Sequence, residues 1–363
     1  METSRIKQLH EFGQSIWLDF LDRNLIDSGQ LTKLIKQDGL RGMTSNPAIF
    51  EKAITGSTAY DAQIRDLAAT HQNNEEIFYQ LAITDIQNAA DKFEAVFAQE
   101  LDGYVSLEVS PHLANDTNRT IEQAIELWKK LDRKNVMIKI PATTEGIPAI
   151  RKTISEGLNI NVTLLFGLER YEQVVDAYLS GIEDRVDAGR PVDEIASVAS
   201  FFLSRIDVLV DPQLEAKGYP EMKGEVAIAC AKQAYQIYKR IFSSDRFFKL
   251  QAMGAMPQRV LWASTGTKDP SFSDVKYVEA LIGPETINTI PLETLEAYRD
   301  HGCPASRLEH DIDKAISTLE HLQNIGIDLR VISNQLENEG IEKFNHPYDK
   351  LLKAIEEKKR SRF

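Results

Sequence analysis

Cysteine is almost missing from this chain of 363 residues: it has two, Cys230 and Cys303, far apart and in no metal-type or redox-type pair. No disulfide framework, zinc ribbon or dithiol centre is therefore expected. The seven histidines include no His-x-His and no His-Glu-x-x-His, so a metal site is not expected either. The chain also lacks a Gly-x-Ser-x-Gly elbow, a P-loop and a Gly-x-Gly-x-x-Gly turn, the usual marks of serine hydrolases, nucleotide hydrolases and dinucleotide enzymes. Basic excess is missing too. A net charge of −13 argues against nucleic acid or an anionic membrane as partner, although a few local cations can still hold a small phosphorylated molecule. No apolar run approaches the roughly 18 residues of a membrane span, and no leader-like stretch opens the sequence. A soluble, cytoplasmic protein is expected.

What is present is a core and a rhythm. With 42% hydrophobic residues, the chain can bury one large α/β domain or two ordinary ones. Eight short segments read as strands, near 15–20, 42–46, 103–109, 136–140, 160–166, 198–203, 259–264 and 286–291. Helical periodicity lies between them, as in Ile312, Ala315, Ile316, Leu319 and Leu322. Such alternation implies parallel βαβ units, and eight of them suggest a closed (β/α)8 TIM barrel forming a single domain over residues 1–363. A doubly wound open sheet is the competing architecture. The stretches 47–102 and 206–258 hold more than one helix each, so additional peripheral helices are expected. The basic run Lys358-Lys359-Arg360 reads as a solvated helix end.

One lysine stands out. Lys139 sits in the run Val136-Met137-Ile138-Lys139-Ile140-Pro141, which reads as a buried strand. Lysine is rarely buried without compensation, and desolvation is a general way to make an amine nucleophilic near neutral pH. A lysine that snorkels to water from a strand end is the bland alternative. The neighbouring strands decide between them. Because strand side chains alternate, Ser15, Trp17 and Asp19 share one face, and Tyr104, Ser106 and Glu108 another. Met137 with Lys139, Asn161 with Thr163, Thr44 with Asn46, and Val198 with Ser200 follow the same pattern. The opposite, apolar faces are expected to pack on helices. Barrel interiors are normally filled by apolar side chains, so polar groups directed inward on several strands need a reason. Asp19, Asn46, Glu108, Lys139 and Ser200 also fall near the C-terminal ends of their strands, where barrel enzymes build their sites.

A desolvated lysine near carboxylates suits imine formation with a carbonyl. Water must leave and return in that chemistry, and Glu108 with Thr163 could hold and protonate it. Asp19 could take the proton of a departing hydroxyl if a C–C bond is cleaved, while Asn46, Asn161 and Ser200 could orient a polyol. A phosphate site is expected after the sixth and seventh strands. Arg205 follows Ser200 closely, and the loop Ser264-Thr265-Gly266-Thr267-Lys268 offers a glycine, three hydroxyls and a cation.

Six motifs together resemble the transaldolase family: Ser15-Ile16-Trp17-Leu18-Asp19, Gly42-Met43-Thr44-Ser45-Asn46-Pro47, Val105-Ser106-Leu107-Glu108-Val109, Val136-Met137-Ile138-Lys139-Ile140-Pro141-Ala142-Thr143, Asn159-Ile160-Asn161-Val162-Thr163-Leu164-Leu165-Phe166, and Trp262-Ala263-Ser264-Thr265-Gly266-Thr267-Lys268. They occur in family order over most of the chain. The resemblance, closest to the longer bacterial-type subfamily, implies a (β/α)8 barrel in the class I Schiff-base aldolase superfamily. Such an enzyme moves a dihydroxyacetone unit between sugar phosphates in the pentose phosphate pathway, without cofactor or metal. On that basis Lys139 attacks the ketose carbonyl, Asp19 accepts the C4 hydroxyl proton, and Glu108 with Thr163 serves the imine chemistry. Asn46, Asn161 and Ser200 would bind the three-carbon fragment, and Arg205 the phosphate. The family's second phosphate-binding arginine, placed just after the serine matching Ser264, is absent. Gly266 stands there, and Lys268 is the candidate to replace it.

Two rival functions stay open at the level of sequence. A fructose-6-phosphate aldolase-like enzyme would release free dihydroxyacetone, but that relative carries glutamine at the position of Glu108. A catalytically silent sugar-phosphate-binding barrel is expected to have lost Lys139 or a carboxylate, and all are present. Monomer and homo-oligomer are both compatible with the sequence.

Overall fold

A computed structural model describes residues 4–70, 73–100 and 102–360. Eight parallel strands close in sequence order into one barrel: β1 (Gln14–Asp19), β2 (Gly42–Thr44), β3 (Tyr104–Glu108), β4 (Val136–Pro141), β5 (Ile160–Leu165), β6 (Ser197–Phe202), β7 (Arg259–Ala263) and β8 (Thr286–Ile290). Each expected strand is found within a few residues of its place. The open-sheet alternative fails because β1 pairs with β8, from Gln14↔Thr286 to Leu18↔Ile290.

The supernumerary helices are also where the chain length required them. Pro47–Thr55, Asp61–Ala68 and Asn74–Glu100 lie between β2 and β3, and Ser204–Lys217, Val226–Phe242 and Asp245–Gln251 between β6 and β7. Local rules explain several of these boundaries. Asn46 caps Pro47–Thr55 by accepting from the Ile49 amide, with proline at the first helical turn. Asp116 caps Thr117–Leu131 in the same way. The N-terminal end of the barrel is plugged by a polar cluster. There the Asp102 carboxylate accepts from Ser15 and, at 2.9 Å, from Trp17 Nε1, while Arg259 reaches Ser15 at 3.3 Å.

Two features depart from the sequence reading. First, β5 does not alternate to its end: its register with β6 shifts between Val162 and Leu165, and Leu164 has a φ of 56°. A bulge of this kind re-aims a side chain. Leu164, expected to face the surrounding helices, instead lies against Gly340 of the C-terminal helix Leu329–Arg360. Second, Lys358 and Lys359 are not a solvated end. Lys358 pairs with Asp61 and donates to the Ser57 carbonyl, and Lys359 donates to Asn74 at 2.9 Å. The reason is the path of that helix, which leaves the β5 and β6 side, crosses the C-terminal mouth and packs on Pro47–Thr55, Asp61–Ala68 and Asn74–Glu100. Its buried stripe of Ile332, Leu336, Ile341, Phe344, Tyr348, Leu351 and Ile355 has the spacing of one helical face. No helix among the described residues is long and apolar enough to cross a membrane.

Candidate active site

Barrel register assembles the site. Glu108 of β3 pairs with Lys139 of β4, and Lys139 with Asn161 of β5, so one row of side chains enters the interior from three adjacent strands. Lys139 is only 4% exposed. Its Nζ donates to the Ser45 carbonyl at 2.9 Å and stands 3.8 Å from Glu108 Oε2, too far for a direct hydrogen bond. From Asn161 the row continues as a relay: Ser200 Oγ donates to Asn161 Oδ1 at 2.7 Å, and Asn161 Nδ2 donates to Ser106 Oγ at 3.1 Å. Thr163 sits two residues above Asn161 and is fully buried. Among the described residues, neither Thr163 Oγ1 nor Glu108 Oε2 has a hydrogen-bond partner. Buried polar atoms in that state are costly unless a water or substrate engages them.

Asp19 closes the group from β1. Its carboxylate accepts a 2.7 Å bond from Thr44, whose hydroxyl also meets Thr289 of β8 at 2.7 Å. The electrostatics follow from the enclosure. Burial pushes the Glu108 carboxyl up to about 7, with the Lys139 charge opposing and the Asp19 charge reinforcing. Asp19 is also raised above the usual carboxylate range, chiefly by desolvation, while Lys139, the Thr44 hydrogen bond and Lys268 work the other way. Glu108 is therefore close to half-protonated at neutral pH, the condition for a group that both gives and takes a proton.

Asn46 flanks the mouth, but its Oδ1 is committed to capping the helix that follows. Arg205 follows β6, with its guanidinium 5.9 Å from the Phe202 ring centroid. Its Nη1 is buried with no protein partner among the described residues, and the charge of Asp19 is felt there. The loop after β7 is held by its own hydroxyls. Ser264 pairs with Ser204 at 2.9 Å, Thr265 donates to the Thr289 carbonyl at 3.2 Å, and Thr267 to the Ser273 carbonyl at 2.8 Å. These hydroxyls tie the loop down, because an irregular segment at a barrel rim must satisfy its own polar groups. A side chain on Gly266 would start 3.3 Å from Pro291 and 3.4 Å from Thr294, so the loop packs too tightly there for an arginine without a shift. Lys268 is exposed and lines a cleft of about 310 Å³ with Lys223 and Glu215. Inorganic phosphate checks the anion role expected of Lys268: Lys268→Ala should weaken its binding by the equivalent of about 1–3 kcal/mol, and unchanged binding would reject that role.

Sequence reasoning passed over several groups at this site. The sequence pattern sets Ser106 on the inward face without indicating a task, although Asn161 depends on it. Thr289 lies on β8, where period-two alternation alone singles out no polar face. Ser45 contributes a carbonyl, which no side-chain pattern can reveal. Phe344, whose ring centroid lies 5.9 Å from Lys139 Nζ, comes from an ordinary amphipathic helix remote in sequence.

Comparison with known proteins agrees with the geometry. Residues 16–355 match the family model described as Transaldolase/Fructose-6-phosphate aldolase. A transaldolase of Trichodesmium erythraeum is 46% identical over 373 aligned residues, covering 99% of this chain and 98% of that protein. Transaldolases of Saccharopolyspora erythraea and Mycolicibacterium smegmatis are 46% and 45% identical, each covering 98% of this chain and 97% of the relative. This chain belongs to the transaldolase/fructose-6-phosphate aldolase family of enzymes.

Proposed function

We propose that this enzyme transfers a dihydroxyacetone unit from fructose 6-phosphate or sedoheptulose 7-phosphate to glyceraldehyde 3-phosphate or erythrose 4-phosphate, as in the non-oxidative pentose phosphate pathway. The observation that carries the proposal is a buried amine, Lys139, set 3.8 Å from a carboxyl raised to about 7 and backed by the unengaged hydroxyl of Thr163. In this reading the Lys139 amine adds to the ketose C2 carbonyl. Glu108, through a water held with Thr163, protonates the leaving hydroxyl as the imine forms. Asp19 takes the C4 hydroxyl proton, the C3–C4 bond breaks, and the aldose phosphate departs while the electron pair stays on C3 as an enamine. An acceptor aldehyde then takes that carbon by the reverse steps. Asn46, Asn161 and Ser200 orient the three-carbon fragment, and Arg205, Ser264 and Lys268 hold the phosphate end.

Transfer is preferred to release of free dihydroxyacetone because position 108 carries a glutamate, which can pass protons at either stage. The test is a coupled assay that follows glyceraldehyde 3-phosphate from fructose 6-phosphate and erythrose 4-phosphate, run across pH. An acid that must carry its proton to expel water loses activity as pH rises through its pKa. The profile should therefore show an alkaline limb near pH 7, and Glu108→Gln should be slower and lack that limb. Production of dihydroxyacetone with no dependence on erythrose 4-phosphate would favour the aldolase reading instead.

A further inference from the structure

The C-terminal helix Leu329–Arg360 belongs to none of the βα units, yet it puts a side chain over the lysine. Phe344 is 6% exposed and Lys139 4%, with 5.9 Å between the ring centroid and Nζ. The helix is seated on both sides of this contact. One turn before Phe344, Gly340 lies so close to the bulged end of β5 that a Cβ there would meet Leu164 Cδ2 at 3.0 Å and Phe166 at 3.5 Å. One turn after it, the Tyr348 hydroxyl donates to Glu75 at 2.6 Å, and its ring meets Phe78 edge-on at 5.6 Å. The backbone strain at Leu164, with φ at 56°, is therefore spent on the surface that receives the helix. Strained residues of this kind persist where surrounding structure holds them, and they cluster at functional sites.

An aromatic face above this nitrogen has two physical effects. It favours a cationic nitrogen over a neutral one, and it excludes water from that side. We propose that Phe344 is a positioning residue that roofs the Lys139 imine and biases its enamine toward an aldehyde acceptor and away from water. The proposal rests on the imine reading of Lys139. In the competing release, the enamine C3 takes a proton from water, and a second water then adds to the iminium carbon. The C–N bond breaks, returning the Lys139 amine and free dihydroxyacetone. Of these steps only the protonation of C3 is peculiar to release, because the imine formed by acceptor addition is hydrolysed by the same attack of water; a ring that keeps water from the enamine carbon therefore favours transfer.

The experiment measures the ratio of dihydroxyacetone released to sedoheptulose 7-phosphate formed from fructose 6-phosphate and erythrose 4-phosphate, alongside borohydride trapping at Lys139. Phe344→Ala should raise that ratio by about tenfold, the low end of what one apolar pocket contact decides, with the trapped adduct retained. Phe344→Leu, which keeps apolar bulk, should raise it less. Gly340→Ala keeps the phenyl side chain but presses the helix that carries it off Leu164, and it should move the ratio in the same direction. An unchanged ratio with trapping intact would overturn the roof, even if both activities fell together, since a merely structural residue lowers both alike. Absence of any adduct in the unaltered enzyme would overturn the imine reading instead.

Discussion

Lys139→Met should abolish turnover, with kcat falling on the order of 10⁴-fold or more, as when a covalent nucleophile is removed. In the unaltered enzyme, fructose 6-phosphate with borohydride should leave a three-carbon adduct on Lys139, and the variant should carry none. Methionine is the informative replacement because it keeps most of the buried volume in a site where a cavity would itself destabilise the fold. Nor does the substitution strand a charge. Burial raises Glu108 to about 7 against the opposing Lys139 ammonium, so without that ammonium the carboxyl rises further and stays protonated at neutral pH. A folded variant that still turned over, or an adduct mapped to another lysine, would sink the mechanism.

Asp19→Ala should lower turnover by roughly 10²–10⁴-fold, the range a positioned general base supplies, while leaving imine formation in place. The trapped species is the discriminating readout. If Asp19 starts C–C cleavage, the variant accumulates the uncleaved donor imine, and reduction leaves the whole hexose phosphate on Lys139 in place of three carbons. The fold should tolerate the change, because Thr44 keeps its bond to Thr289 when the Asp19 partner is lost, and Asp19 is only partly buried at the mouth. Unchanged turnover would remove Asp19 from the chemistry. A three-carbon adduct with slow turnover would place it after cleavage.

Much of this site was legible from period-two alternation alone. Ser15, Trp17 and Asp19 could be set on one face of β1, and Glu108 and Lys139 on the inner faces of β3 and β4, because a strand has two sides and the barrel core takes one of them. The same rule failed at Leu164, where a bulge decided the direction of the side chain, and bulges leave little trace in composition. It is silent on the loop after β7, where Thr265 and Thr267 give their hydroxyl protons to backbone carbonyls. Residue type says what a hydroxyl can do, not which partner reaches it first. The basic run at the chain end misleads for a related reason. Lys358 and Lys359 look solvated until the helix carrying them is laid across Asp61 and Asn74.

The sequence by itself determined the eight strands and their order, the inward direction of Asp19, Glu108, Lys139, Asn161 and Ser200, and the absence of histidine or cysteine metal motifs. These are consequences of local periodicity and residue chemistry. Only the tertiary structure decided the row that joins Glu108, Lys139 and Asn161, the relay through Ser106, and the approach of the Phe344 ring to Lys139. Those depend on strand register and on a helix packed some two hundred residues from the lysine it covers. Contacts between segments so distant are set by which surfaces must be buried together, a property of the whole chain that no single stretch of it encodes.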